Sequence, residues 1–112
     1  MEFCRRDGYC ISADFDSKGR LVFTYYDLGR HNLETHYVSS ANKKEESIIL
    51  DQVNVQILFN SLNQNQLTFS QENLYDLITN AFQHFSSLTE IILFLSEHEI
   101  KYKPFTWIEF YD

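Results

Sequence analysis

Cys4, Cys10, His31 and His36 are the side chains whose types can together hold a soft or borderline metal ion. Structural zinc sites place paired cysteines about two to four residues apart, so that one turn aims both thiolates at one ion. Here five residues separate the cysteines, twenty lie between Cys10 and His31, and four separate the histidines. That spacing points to two ordinary thiols and two surface histidines, with no metal. Asp14 and Asp16 flank Phe15 and would share one face of a strand, where paired carboxylates can act as acid and base. No nucleophile lies near them in sequence, and the expectation is a solvated hairpin face. His84 lies beside an apolar helical stripe. His98 falls at a helix end, where the dipole favours a cation. The chain has three glycines, and it contains no glycine-rich phosphate loop, no G-x-S-x-G and no H-E-x-x-H. A binding protein without cofactor is therefore expected, not an enzyme.

Recognition is the better use of the remaining carboxylates. Glu72 and Asp76 stand at i, i+4 on one predicted helix, opposite its apolar stripe. Glu90 and Glu97 stand two turns apart on the next, also off the stripe. Like charges at such spacing mildly destabilise a helix, and a basic partner would relieve them. Tyr75 sits beside these acids as an aromatic anchor. Trp107, Phe110 and Tyr111 crowd the last residues. Alternation sends Trp107 and Tyr111 to one side and Ile108 and Phe110 to the other.

The charge map sharpens this. Net charge is −7. Residues 1–50 hold eight acids against seven bases, while residues 51–112 hold eight acids against two bases, Lys101 and Lys103. No Lys or Arg occurs from Asp51 to Ile100. Such a surface repels phosphate backbones and attracts basic proteins, which argues against nucleic acid as a partner. The longest apolar run, Ile91 to Leu95, is far short of the ~20 residues a spanning helix needs. Residues 1–7 carry charges with no apolar run behind them, so no export signal is expected. The expectation is a cytoplasmic chain with reduced thiols, since a disulfide between Cys4 and Cys10 would require export.

The elements that must position these residues are legible in part. The chain has 112 residues, 44% of them hydrophobic and 16% aromatic, which suits one folded domain over 1–112. Tyr9, Ile11, Ala13 and Phe15 alternate with Cys10, Ser12, Asp14 and Asp16, the period of a half-buried strand. Ser17-Lys18-Gly19-Arg20 turns it, and Leu21 to Tyr26 returns, so residues 1–29 read as a β-hairpin. Thr35 to Ser39 has the composition of a short strand. Asn42 to Glu46 reads as a solvated turn, and Ser47 to Leu50 as another strand. Asp51 is placed to cap a helix reaching Leu62, with Val55, Leu58, Phe59 and Leu62 as its stripe. Ser70 caps a second, striped by Leu74, Leu77, Ile78, Ala81, Phe82 and Phe85. Ser86 or Ser87 caps a third, carrying Leu88, Ile91, Ile92 and Leu95 and stopping near His98-Glu99. Residues 100–112 read as a final strand, with Pro104 marking an edge or bend. Strands, three amphipathic helices and a returning strand make an α+β fold.

Three stretches carry a resemblance. They are the hairpin closing on Asp27-Leu28-Gly29, the strand-to-helix run Ile48-Ile49-Leu50-Asp51 leading to Leu58 and Leu62, and the ending Glu99-Ile100-Lys101-Tyr102 with Trp107. Together they resemble small bacterial immunity proteins that accompany polymorphic toxins, including those of contact-dependent growth inhibition. The resemblance implies a protein that binds one cognate toxin domain in the producing cell's cytoplasm and neutralises it without chemistry. Many such toxins are basic nucleases, whose nucleic acid an acidic face displaces with electrostatically steered association. These families share no fixed binding residues. Glu72, Tyr75, Asp76, Glu90 and Glu97 are therefore candidates from the charge map alone, with Asp14 and Asp16 as second choices. Two other classes stay open. One is a phage-type acidic inhibitor of a host or defence protein, and the other an enzyme built on Asp14, Asp16, His31 and His36.

Overall fold

The computed structural model describes residues 1–6, 8–27 and 45–105. It is an α+β fold, a five-stranded antiparallel sheet with three helices. The strands are β1 (Glu2–Arg6), β2 (Tyr9–Phe15), β3 (Leu21–Asp27), β4 (Glu45–Leu50) and β5 (Lys103–Phe105), and they lie in the order of the chain. Helices α1 (Gln52–Leu62), α2 (Gln71–Phe82) and α3 (Leu88–Glu97) come between β4 and β5.

Register decides which side chains meet the helices. Ala13 pairs with Phe23 and Phe23 with Ile48, while Leu21 pairs with Leu50. Directly opposed residues share a face, so these form one apolar layer. They join Leu58, Phe59, Leu74, Ile78, Phe82, Ile91 and Leu95 in a single core. Phe82 is fully buried at its centre, with rings from Phe3, Phe23, Phe85 and Phe94 at 5.1–6.3 Å.

The helices begin where their caps predict. Asp51 Oδ1 accepts the Asn54 backbone N–H at 2.9 Å, and Ser70 Oγ accepts that of Asn73 at 3.0 Å. Gly19 has φ +77, a conformation that strains any residue with a Cβ, and a Cβ there would lie 2.9 Å from Gln52 Nε2. That amide donates to the Lys18 carbonyl at 2.7 Å, which latches the β2–β3 turn to the start of α1.

Several expectations change. Residues 1–29 do not begin as a two-stranded hairpin, because β1 pairs antiparallel with β2 ahead of it. The register shifts between Glu2 and Cys4, so adjacent Phe3 and Cys4 are both buried and no clean alternation shows in the sequence. Glu45 and Glu46, read as turn, belong to β4 and pair with Tyr26 and Tyr25. β2 is not half-buried, since Cys10 and Ser12 are buried as well. On that second face Cys10 sits between Arg5 and Tyr26, and Ser12 between Glu2 and Thr24. α2 stops at Phe82, three residues short of its expected stripe, and Ala81 is exposed. The proposed strand at Thr35–Ser39, His31, His36 and the ring cluster of Trp107, Phe110 and Tyr111 lie outside the described residues.

Candidate functional site

The outer surface of α2 and α3 is built by the same periodicity that builds the core. Leu74, Ile78 and Phe82 face inward, which turns Glu72 and Asp76 outward, and both are exposed. On α3, Leu88, Ile91 and Leu95 are buried. Glu90, Leu93 and Glu97 then occupy the opposite side at i, i+3 and i+7. Leu93 is 57% exposed, an apolar side chain between two carboxylates. Sequence reading passed over it because it falls outside the inward stripe. Its signal was that very position, three residues after Glu90 and four before Glu97.

The acids are not equivalent. Glu90 accepts from the Ser86 backbone N–H at 2.9 Å and from its hydroxyl at 2.6 Å. The Ser86 hydroxyl bond, then the backbone bond, hold its carboxyl below the ordinary glutamate range. These bonds tie the turn before α3 to its first turn, while the N-cap Ser87 makes no side-chain cap bond. Glu97 stands in the last turn of α3 with no basic residue there. A carboxylate at that end opposes the helix dipole. Glu99 follows at φ +57, a left-handed position usually given to glycine. The Ile100 N–H donates to the Leu95 carbonyl at 2.8 Å and the Glu99 N–H to that of Ser96 at 3.2 Å. This Schellman closure is sealed by buried Ile100 against buried Leu95. Two carboxylates therefore occupy places that local physics disfavours. Among the described residues, no ion pair involves an acid of α2 or α3.

Tyr75 is differently placed from its acidic neighbours. It is half-buried, its hydroxyl accepts the Phe15 backbone N–H at 3.1 Å, and its ring packs on Phe15 at 5.6 Å. It ties α2 to the sheet.

Asp14 and Asp16 do not form the pair expected of them. β2 ends at Phe15, and Asp16 turns into the β2–β3 connection. There it accepts from the backbone N–H groups of Lys18 and Arg20, each at 2.9 Å, and from Arg20 Nε at 2.7 Å. These bonds to Arg20 and Lys18 outweigh burial and hold its carboxyl low. Asp14 is on the sheet, paired with the Met1 ammonium. Cys4 and Cys10 are both free and buried. Cys4 opposes Ile11 while Cys10 opposes Arg5, so the two thiols project from opposite faces of the sheet. No disulfide can join them in this fold. The Cys4 thiol donates to the Phe85 carbonyl at 3.3 Å, and burial pushes the Cys10 thiol up. His84 is exposed, and His98 Nδ1 donates to the Phe94 carbonyl at 2.9 Å with its ring stacked on Phe94. Among the described residues no cluster of His, Cys, Asp and Glu could hold a metal ion, and no helix is long and apolar enough to cross a membrane. Compared with family models, curated proteins and solved structures, the chain matches none.

Proposed function

We propose that the chain is an immunity-type binding protein. It would sequester a basic protein, a nuclease-type toxin domain, in the cytoplasm of the cell that makes it. The observation that supports this is the outward face of α2 and α3. Glu72 and Asp76 are exposed on α2, and Glu90 and Glu97 flank exposed Leu93 on α3, over a stretch without a single Lys or Arg. An apolar side chain flanked by carboxylates suits a partner that sets cations beside an apolar hollow. The cost of Glu97 against the α3 dipole is offset when the partner supplies cations. Such a role needs no catalytic group on this chain, and Asp14 and Asp16 are each already engaged with a cation.

The test begins with co-purification from cells that make the protein, followed by affinity measurement with the purified partner. Asp76→Lys combined with Glu97→Lys is the decisive variant, because neither side chain supports the fold, whereas Glu90 also holds the turn before α3 through Ser86. A loss of affinity of about a hundredfold or more, steepened at low salt, is expected. Unchanged affinity would sink the reading. A partner that proves to be a host or defence protein, not a toxin, would move the same surface to the phage-type inhibitor class.

A further inference from the structure

A cleft of about 450 Å³ opens where the start of α1 meets β4 and β5. No residue of α2 or α3 lines it, and its chemistry has the opposite sign to theirs. Arg20, Lys101 and Lys103 line it, with Asp51 as the one acid among the lining residues. Lys101 and Lys103 are the only bases after residue 50, and both fall here.

Its polar groups divide into acceptors in use and donors to spare. Asp51 Oδ1 accepts both the backbone N–H and the side-chain amide of Asn54, each at 2.9 Å. Asn54 Oδ1 accepts the Lys101 backbone N–H at 2.8 Å. Asn54 is thus held at both ends and forms a fixed floor. Outside the cleft, Asp16 takes Arg20 Nε at 2.7 Å. Among the described residues, no hydrogen bond or ion pair engages the Lys101 or Lys103 ammonium, although Lys103 lies near enough to Asp51 to help hold its carboxyl low, after the bonds from Asn54. The terminal nitrogens of Arg20 are likewise unused. A ligand must therefore bring acceptors. Ile49, half-buried Tyr102 and Pro104 supply the apolar walls. The size falls within the ordinary range for small-molecule sites, about 300–1,000 Å³.

We infer that this cleft binds a small organic oxyanion, a carboxylate or phosphate group carried on an apolar body. The head is held by Lys101, Lys103 and Arg20, and the body lies against Tyr102 and Pro104. The inference is independent of the partner proposed for the helical face.

The experiment is an amide-resolved NMR titration of the whole chain at low salt with phenylacetate, phenyl phosphate and inorganic phosphate. Saturable shifts at Asn54 and Lys101 to Lys103 are expected with at least one organic probe. The tighter of phenylacetate and phenyl phosphate identifies the head group. The double variant Lys101→Glu with Lys103→Glu should weaken binding by about tenfold or more, since two attractions become repulsions. Both lysines are exposed, so the fold should survive, and circular dichroism checks that it does. Lys18→Glu, outside the cleft, should leave the affinity unchanged. The inference is overturned if no probe saturates at millimolar concentration. It is also overturned if the double variant binds as well as the parent, or if inorganic phosphate binds as tightly as the organic anions.

Discussion

Three carboxylates of the sheet half each have a cation in contact: Glu2 with Arg5, Asp16 with Arg20, and Asp14 with the Met1 ammonium. On α2 and α3, Glu72, Asp76 and Glu97 have none among the described residues. Both regions are similarly built, with an apolar side turned to one shared core and a polar side turned to water. A lysine at i+4 on either helix would have stabilised it, yet none occurs. The difference teaches that these three sheet-half carboxylates are used internally, in turns and strand edges, while Glu72, Asp76 and Glu97 face water and, of the α2 and α3 acids, only Glu90 is bonded within its own half. The sheet reads as the scaffold and the helices as the presenting layer.

Phe82 joins the two regions, and its removal gives the largest expected effect. Phe82→Ala takes away a fully buried ring packed on Phe3 and Phe23 of the sheet and on Phe94 of α3. A loss of about 4 kcal/mol in urea-induced unfolding is expected. If sheet and helices then unfold in separate transitions, the seam is confirmed as the link. A loss below about 1 kcal/mol would show that the layers are joined elsewhere. Next in size is the charge contrast itself. Asp76→Lys with Glu97→Lys should weaken partner binding by about a hundredfold, near 2.7 kcal/mol, with the unfolding midpoint slightly raised because a cation replaces the carboxylate at the end of α3. Reversal of Lys18 should do neither, and equal losses from both would erase the distinction between the halves.

Glu99→Gly is a smaller probe. It relieves a left-handed residue at the Schellman position and should raise stability by about 1 kcal/mol in urea. No gain would remove Glu99 from the carboxylates that the helical layer holds against local preference. The smallest effect concerns acid. The carboxyl of Asp51 is held low first by the Asn54 backbone N–H and then by its side-chain amide, and Glu90 by Ser86. A carboxyl lowered on folding contributes stability above its unfolded pKa, near 4, and loses it as pH falls through the folded value. Asp51→Asn keeps an oxygen to cap α1 but removes the titration. The unfolding midpoint of this variant should therefore decline less than the parent's between about pH 5 and 3. An identical decline would assign the acid sensitivity to other groups, Asp16 and Glu2 among them.

The helices were legible because their signals are local. Asp51 and Ser70 stand just before inward stripes of period 3.6, and both cap as their positions suggest. β1 was not legible, because a bulge puts Phe3 and Cys4 side by side in the interior and breaks the alternation. Glu45 and Glu46 carry a charge typical of loops, and only pairing with Tyr26 and Tyr25 makes them strand. Pairing also joins Glu45 to the Tyr26 hydroxyl, whose pKa that bond and then burial push up to about 12. The acids of the candidate face were readable one by one. Leu93 was not, because its meaning depends on which way α3 is turned.

The amino-acid order by itself determined the α+β composition, the helix starts and the absence of Lys and Arg from 51 to 100. These are properties of neighbouring residues, and neighbours are what a sequence lists. Tertiary structure alone decided that Tyr75 is bonded to the Phe15 backbone, that Asp14 and Asp16 serve different partners, and that Cys4 and Cys10 face away from each other. It also gathered Arg20, Asn54, Lys101 and Lys103 into one cleft. Residues so far apart in the chain meet only through strand register and helix packing, which depend on the whole core at once.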